Sequence, residues 1–310
     1  MHFQKMLICI ILMQLNCAIS IILIFGQLFV HEKLFAAISN DMIILFIRKN
    51  IYRTTITEDK LMHSEYHAKT YTIILSGGIG SRLKGINIPK QYHKICGKTI
   101  LSYCLERMEH ADCIDGYLIT AAEQWQEFIL QEMEQLAMSG ISGGLSMSKF
   151  LGFALPGANR QMSILHGLQK LKTTANENDI VLIQDAVRPL TSEALIIKCI
   201  QAAKSADGAM PTLPMTDTVY YSEDGKKIDA LLERDKIIAG QAPEAFAFGA
   251  YLRANEALSE SEMLAVRGST EPAIKAGMQI ALLDGDERNF KITTAKDLKQ
   301  FEKLMEDRMK

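Results

Sequence analysis

The sequence predicts an α/β fold, in which a doubly wound and mostly parallel sheet carries helices on both faces and a β-arm projects from it. Short apolar runs alternate with segments of helical spacing from residue 71 onward, and this alternation is typical of βαβ units. One insertion breaks the alternation: Asp224-Gly225 lies between two strand-like segments, 218–221 and 227–231. Because Asp-Gly is a strong hairpin-turn signal, we expect the arm at about residues 216–240.

The apolar runs are interpreted as buried strands, because helices cover both faces of a parallel sheet. Strands are predicted at 71–75, 116–120, 150–155, 180–184 and 278–283. Apolar residues at helical spacing predict helices at 99–108, 125–136, 161–171 and 294–309. A further helix follows Thr191 or Ser192 as its N-cap. We expect Trp125 and Phe128 to lie in the core rather than to bind a ligand.

The bulk composition excludes several classes of protein. The 310 residues carry a formal charge of -2, which argues against nucleic-acid binding because that function shows as a basic excess. No pair among the six cysteines has CxxC spacing, so neither a zinc site nor a disulfide framework is expected. A reducing, cytoplasmic environment fits this pattern best.

Residues 1–61 differ in character from residues 62–310. The segment 6–30 is almost wholly apolar, and about 20 apolar residues suffice to span a bilayer. Three interpretations stay open: a membrane anchor with the basic cluster at 48–53 on its cytoplasmic side, a secretory signal peptide, or an extension outside the working protein. We favour the last, with translation beginning near Met62, which lies nine residues before the first predicted strand.

A glycine-rich turn, 76–82 (SGGIGSR), follows the first predicted strand. Glycine allows a backbone to approach phosphate oxygens closely, so that backbone N–H groups can donate to them. The turn is neither a Walker A sequence nor a GxGxxG fingerprint, and such a turn alone is as often structural. Arg82 at its end and Lys90 in the following PKQY segment add two cations. Two cations beside a glycine turn suit a triphosphate, whose charge must be neutralised before an oxyanion attacks it.

Asp185 directly follows the predicted strand 180–184, at the edge where open α/β sheets bind ligands. Mg²⁺ prefers one or two carboxylates together with phosphate oxygens, so Asp185 is the candidate metal ligand. The structural alternative is that Asp185 only caps the loop after it. Lys291, in the segment NFKITT, brings a further cation to the end of the sheet region.

Six stretches across about residues 70–302, in the same order throughout, resemble one family of cytidylyltransferases. The family includes 2-C-methyl-D-erythritol 4-phosphate cytidylyltransferase and the related ribitol-5-phosphate enzymes. The stretches are SGGIGSR with PKQY, GANRQMSILHGL, QDAVRPL, PMTDTVYY, LLERDKIIAGQAPEAF and NFKITTAKDL. The resemblance implies a Rossmann-like nucleotidyltransferase domain over 62–310. It also implies that CMP passes from CTP to a polyol phosphate, with 2-C-methyl-D-erythritol 4-phosphate favoured as the acceptor.

The resemblance further implies roles for individual residues. The implied catalytic residues are Lys90, Lys291 and Arg82. Contacts to CTP are implied for Gly77, Gly78, Gly80, Ser81, Gly157, Arg160 and Ser163. Acceptor contacts are implied for Asp217, Thr218 and Arg234, and a Mg²⁺ contact for Asp185. In this family the residue matching Arg234 reaches the neighbouring subunit's site, so a homodimer is implied.

Some positions depart from the family pattern and leave the acceptor open. Ala242 stands where the family usually has Thr, and Ala158 stands where an acidic residue is common. The Gly-Gly turn and the Ala-Val-Arg-Pro segment lean slightly toward the ribitol branch, so ribitol 5-phosphate is the alternative acceptor.

Three other interpretations fit the residues less well. A sugar-phosphate nucleotidyltransferase that uses another nucleotide shares the glycine-rich turn but not the RQMS and QDAVRP stretches. A nicotinamide-binding domain needs GxGxxG and an acidic residue about 20 positions further on. An inactive scaffold does not explain why Lys90, Asp185 and Lys291 are all present.

Overall fold

The structure is a computed structural model, and it describes residues 68–78, 88–138 and 146–309. These residues belong to one compact unit that runs from Ala68 to Lys310. Within the described ranges, no helix is both long enough and apolar enough to cross a bilayer. The predicted boundary at Met62 and all three interpretations of residues 1–61 lie outside the described residues.

The strands of this unit form one large sheet and two small hairpins. In chain order they are β1 (Thr70–Leu75), β2 (Lys94–Ile95), β3 (Lys98–Thr99), β4 (Gly116–Thr120), β5 (Phe150–Ala154), β6 (Ile180–Asp185), β7 (Gly208–Pro214), β8 (Tyr220–Tyr221), β9 (Ala230–Leu231), β10 (Ile238–Gly240), β11 (Glu244–Ala247) and β12 (Ile280–Asp284). The eight-stranded sheet has the order β10-β7-β11-β6-β1-β4-β5, and β12 pairs with β7.

Most of the pairings in the large sheet are parallel. Strand β1 pairs in parallel with β6 and β4, β4 with β5, and β7 with β12. Strand β11 lies antiparallel between β6 and β7, and β10 is antiparallel to β7. The predicted α/β fold with a mostly parallel sheet is therefore confirmed, with an antiparallel insertion that the sequence pattern does not predict.

Five of the described helices begin at or near the predicted positions, and three further helices, Phe248–Glu256, Glu260–Ala265 and Glu271–Lys275, are not predicted. They are α1 (Ile100–His110), α2 (Glu123–Met138), α3 (Arg160–Leu171), α4 (Glu193–Ser205), α5 (Phe248–Glu256), α6 (Glu260–Ala265), α7 (Glu271–Lys275) and α8 (Ala295–Met309). Of the two candidate caps for α4, Ser192 is the N-cap, and its Oγ accepts a hydrogen bond from Leu195 N at 3.2 Å. Thr191 instead bonds the side chain of Asn289, at 2.9 Å.

Two apolar clusters sandwich the sheet, because alternate residues of each strand face opposite sides. On β6, Leu182 belongs to the cluster that α1, α2 and α4 cover, whereas Val181 and Ile183 belong to the cluster that α3 and α5 cover. Trp125 and Phe128 pack on the first cluster, with ring centroids 4.8 Å and 5.7 Å from that of Tyr92. Their predicted place in the core is confirmed.

The β-arm contains β8 and β9, which pair antiparallel with Tyr220 opposite Leu231. Both strands are shorter than the sequence predicts. In the segment that joins them, side chains accept hydrogen bonds from backbone N–H groups in place of a β-ladder. Asp224 Oδ1 accepts from Lys226 N at 2.8 Å, and Ser222 Oγ accepts from Gly225 N at 3.0 Å. Gly225 has a φ of 70°, a left-handed conformation that glycine adopts without strain. The Asp-Gly turn is thus present, but inside a wider loop than a two-residue hairpin.

Candidate active site

The carboxyl ends of β1 and β6 lie side by side and bring two predicted motifs together. In the parallel register, Leu75 at the end of β1 is opposite Asp185 at the end of β6. Ala186 N donates to Leu75 O at 3.2 Å. The glycine-rich turn after β1 therefore starts beside the carboxylate after β6, at the edge where open α/β sheets bind ligands.

The first two glycines of the turn, Gly77 and Gly78, have different surroundings. A Cβ at Gly77 would lie 2.4 Å from Cβ of Pro156, so only glycine fits there. Among the described residues, nothing lies within 4 Å of a Cβ built at Gly78, so none of them requires a glycine at this position. Gly80, Ser81 and Arg82 lie outside the described residues, and their roles stay predictions.

Three cations converge on the Asp185 carboxylate. Arg160, the first residue of α3, places Nη2 3.2 Å from Oδ1. Arg188 Nε and Lys291 Nζ lie 3.3 Å and 3.0 Å from Oδ2. The structure thus brings together Asp185, Arg160 and Lys291 from three predicted motifs, and it adds Arg188, which we do not predict as a site residue.

The charge on Asp185 follows from these contacts. Burial raises the pKa of this carboxyl, but Arg160, Lys291 and Arg188 outweigh that effect and hold the pKa well below its usual range. Burial lowers the pKa of Arg160, but Asp185 and Glu244 reverse that effect and raise it. Asp185 is therefore held as a carboxylate and Arg160 as a guanidinium cation at neutral pH.

Glu244 is a second carboxylate at this edge, and it also reaches Arg160. Its Oε2 lies 3.7 Å from Arg160 Nη2 and accepts a hydrogen bond from Ser269 Oγ. Burial raises the pKa of Glu244 against the opposing effects of Arg160 and Ser269. Because Glu244 begins the antiparallel strand β11, which the sequence pattern does not predict, this partner of Arg160 is missed as well.

The turn before α3 is built around Gly157 and Ser163. A Cβ at Gly157 would lie 2.2 Å from Cβ of Met162. Ser163 Oγ accepts from Gly157 N at 3.0 Å and donates to Asn159 O at 2.9 Å. Asn159 is the N-cap of α3, with Oδ1 accepting from Met162 N at 2.8 Å. This network fixes the first turn of α3 and hence the position of Arg160.

Asn289 joins three loops beneath the cluster and is fully buried. Its Nδ2 donates to Ala242 O at 2.7 Å, and its Oδ1 accepts from Thr191 Oγ1 at 2.9 Å. Its backbone oxygen accepts from Arg188 Nη1 at 2.6 Å. Asn289 lies in the same NFKITT segment as Lys291. The sequence therefore indicates that Asn289 lies near the site, but it does not indicate that its side chain joins these loops.

The predicted acceptor residues lie on the arm. Asp217, Thr218 and Arg234 are all exposed. Arg234 donates to Thr216 O at 3.1 Å and lies 3.5 Å from Asp235 Oδ1. The two contacts of Arg234 are thus local to the arm, whereas Arg160 and Lys291 both contact Asp185.

Asp185 fits Mg²⁺ only when phosphate supplies the other ligands. Across the described ranges, no group of three or more His, Cys, Asp or Glu side chains could hold a metal ion. A single carboxylate with phosphate oxygens is a usual Mg²⁺ environment. Both oxygens of Asp185 are engaged by cations, so Mg²⁺ would compete with Lys291 for Oδ2.

A glycine turn and a carboxylate ringed by cations, at the carboxyl edge of such a sheet, define the class of an α/β enzyme acting on a nucleotide phosphate. The family model for 2-C-methyl-D-erythritol 4-phosphate cytidylyltransferase matches residues 70–307. The chain belongs to this family and is a CTP-dependent nucleotidyltransferase.

Individual relatives agree with this assignment. A 2-C-methyl-D-erythritol 4-phosphate cytidylyltransferase of Geobacter metallireducens is 31% identical over 242 residues, which are 77% of this chain and 98% of the relative. A ribitol-5-phosphate cytidylyltransferase of Streptococcus agalactiae is 27% identical, over 76% of this chain and 95% of its own.

Solved structures share the fold. A 2-C-methyl-D-erythritol 4-phosphate cytidylyltransferase from Francisella tularensis aligns with a TM-score of 0.61 at 24% identity, over 76% of this chain and 98% of its own. A 4-diphosphocytidyl-2C-methyl-D-erythritol synthase aligns with a TM-score of 0.62 at 23% identity, over 78% of this chain and 100% of its own.

Proposed function

We propose that this protein transfers CMP from CTP to 2-C-methyl-D-erythritol 4-phosphate and releases pyrophosphate. The observation that carries the proposal is the set of cations on Asp185, at the sheet edge where the glycine turn starts, in a chain that belongs to this family. A phosphate oxygen of the acceptor attacks the α-phosphorus of CTP. The new P–O bond forms as the bond from the α-phosphorus to the oxygen bridging the β-phosphate breaks, and pyrophosphate leaves with that oxygen.

Lys90 and Lys291 are proposed to stabilise the charge that develops on the α-phosphate. A cation placed where negative charge grows lowers the barrier more than it strengthens ground-state binding. Lys291 already reaches the cluster, with Nζ 3.0 Å from Asp185 Oδ2. Lys90 belongs to the short 3-10 turn Lys90–Tyr92, which follows the glycine turn in the chain. Arg82 is proposed to hold the triphosphate.

CTP is proposed to lie along the glycine turn, with its cytosine and ribose near the start of α3. Gly77, Gly78, Gly80 and Ser81 would face the phosphates, and Gly157, Arg160 and Ser163 would surround the nucleoside. The internal hydrogen bonds of Ser163 favour a contribution through the shape of the turn. Asp185 would hold Mg²⁺, which when bound neutralises phosphate charge and orients the leaving pyrophosphate.

The working form is proposed to be a homodimer, in which the arm of one subunit completes the site of the other. Tyr220, Tyr221, Ile228 and Leu231 on the arm are each more than half exposed. A cluster of exposed apolar side chains is typical of an interaction surface. Asp217, Thr218 and Arg234 lie on the same arm and are proposed to bind the acceptor phosphate in the partner's site.

Ribitol 5-phosphate is the second candidate acceptor. Relatives of this chain include ribitol-5-phosphate cytidylyltransferases, and Ala242 removes a hydroxyl that the family usually has near the acceptor phosphate. Because CTP is an intracellular substrate, we propose a cytoplasmic location. A membrane contact arises only if residues 1–61 are retained.

The substrates can be tested by kcat/KM for pyrophosphate release with each of the four NTPs and with each of the two acceptors. We expect a strong preference for CTP and a higher kcat/KM for the methylerythritol phosphate. Equal turnover of ATP or GTP would contradict the nucleotide assignment. A higher kcat/KM for ribitol 5-phosphate would replace the acceptor and leave the reaction class unchanged.

A further inference from the structure

Gln91 is buried against the glycine turn, although the proposed reaction gives it no role. Its side chain is 3% exposed. Its Nε2 lies 2.6 Å from Ser76 O and 2.8 Å from Gly78 O. A primary amide carries two N–H donors, so both donors are satisfied by carbonyl groups of the turn after β1.

These two hydrogen bonds determine the direction in which the carbonyl groups of Ser76 and Gly78 point. In a trans peptide, the C=O and the following N–H point in opposite directions. Because the Ser76 carbonyl is turned toward Gln91, the N–H of Gly77 is directed away from it. The Gly78 carbonyl is likewise held on the Gln91 side, where its negative end is kept from an approaching phosphate.

The same side chain ties the glycine turn to Lys90. Lys90, Gln91 and Tyr92 form one 3-10 turn, and the hydroxyl of Tyr92 donates to Ser76 O at 3.2 Å. Two consecutive side chains therefore fix the Lys90 backbone relative to the glycine turn. The ring of Tyr92 packs against the rings of Trp125 and Phe128.

We propose that Gln91 is a positioning residue that holds residues 76–78 and Lys90 in one fixed relation, so that the backbone N–H of Gly77 and the Lys90 ammonium act on the same triphosphate. The proposal rests on the proposed function, because it assigns the triphosphate of CTP as the ligand. It extends that function by making the amide of Gln91 necessary for both CTP binding and turnover.

The test compares two variants. Gln91→Glu replaces the amide NH2 group, which carries both donors, with a carboxylate oxygen that accepts. Gln91→Met removes the donors and keeps a side chain of similar size. Gln126→Glu is the matched control, because its Nε2 donates at 3.2 Å to Ala121 O, outside the glycine turn. We expect both Gln91 variants to raise the CTP KM about tenfold or more, as the loss of a buried hydrogen bond does. We expect kcat to fall as well, with Gln91→Glu the worse of the two and Gln126→Glu close to wild type.

A double-mutant cycle separates positioning from general damage. If Gln91 acts through Lys90, Gln91→Met changes kcat less than about twofold in a Lys90→Ala background, while its effect on the CTP KM persists. If the double variant loses kcat by the product of the two single losses, the proposal is overturned. It is also overturned if both Gln91 variants keep the wild-type kcat and CTP KM. Thermal unfolding shows whether each variant folds. If Gln91→Glu does not fold, the kinetics of Gln91→Met alone decide the test. A wild-type chain that fails to turn over CTP would instead contradict the proposed function.

Discussion

The three cations on Asp185 differ in how much of each side chain is exposed to solvent. Arg160 and Lys291 keep about a third of their side chains exposed, at 33% and 34%, whereas Arg188 keeps 10%. Arg188 also bonds Asn289 O, so it is part of the scaffold that holds Asp185. Arg160 and Lys291 are therefore the members of the cluster that can reach CTP.

Lys90→Ala should lower kcat roughly 10²–10³-fold, which is typical of the loss of one preorganised electrostatic donor. The reason is that charge on the α-phosphate grows only in the transition state, so the loss appears in kcat rather than in binding. The measurement is steady-state kinetics at increasing CTP, with Arg82→Ala as the comparison. We expect Arg82→Ala to raise mainly the CTP KM.

Saturating CTP should not restore turnover in the Lys90 variant. If turnover does recover, Lys90 is a binding residue only. The catalytic role would then pass to Lys291, whose Nζ already lies 3.0 Å from Asp185 Oδ2.

Asn289→Ala should lower the free energy of unfolding by about 1–3 kcal/mol, because it leaves the buried carbonyl of Ala242 without the amide that donates to it. Urea unfolding measures the change. Asn178→Ala is the control, because Asn178 is exposed and such substitutions usually stay within about 0.5 kcal/mol. A change of the same small size at Asn289 would show that its two side-chain hydrogen bonds contribute little.

At the residue scale, the sequence locates the members of the site that come from recognisable segments. Asp185, Arg160 and Lys291 each lie in a stretch with a strand or cap signal, and the structure brings them into contact. Arg188 is missed because nothing in the sequence shows that a residue three positions on turns back to Asp185. Glu244 and Asn289 are missed because their roles come from tertiary contacts between distant segments.

At the scale of elements, the arm is the feature proposed to act in the site of a second chain. Mixing Lys90→Ala with Arg234→Ala should recover activity if the arm completes the partner's site. A mixed dimer combines intact Lys90 from one chain with intact Arg234 from the other in one of its two sites. Random mixing therefore predicts about a quarter of wild-type activity at acceptor concentrations below KM.

Each variant alone should stay low under the same conditions. The single Arg234→Ala variant should raise the acceptor KM much more than the CTP KM, since a charge-assisted phosphate contact is worth about 1.5–3 kcal/mol. A mixture no more active than the average of its parts would place Arg234 in its own subunit's site. Equal effects on CTP and acceptor would remove it from the acceptor site altogether.

Helices and strands with a clear pattern of apolar residues are predicted from this sequence. A short strand that forms only because neighbouring strands pair with it is not. The helices α1, α3, α4 and α8 and the strands β1, β4 and β6 are all predicted to within a few residues. The strand β11 contains Glu244 and is only Glu244–Ala247 long, so its short, partly charged segment gives no strand signal. It forms because β6 and β7 flank it on both edges.

At the scale of the whole molecule, every motif of the proposed site lies beyond residue 70. A chain beginning at Met62 should therefore keep full kcat and KM and remain in the supernatant after ultracentrifugation. The full chain is the comparison, assayed in the same fractions. Loss of activity on deletion, together with sedimentation of the full chain with membranes, would favour a membrane anchor in residues 1–61.

The Asp185 edge of the sheet is proposed to be the place where CMP is joined to a polyol phosphate. The most direct test supplies wild-type protein with CTP labelled at the α-phosphate and with the acceptor in the presence of Mg²⁺, and follows both products. We predict that the label moves into a CDP-linked polyol, with one pyrophosphate released per product, and that omission of the acceptor stops both. Pyrophosphate release that does not depend on the acceptor, or label that remains in free CMP, would contradict it.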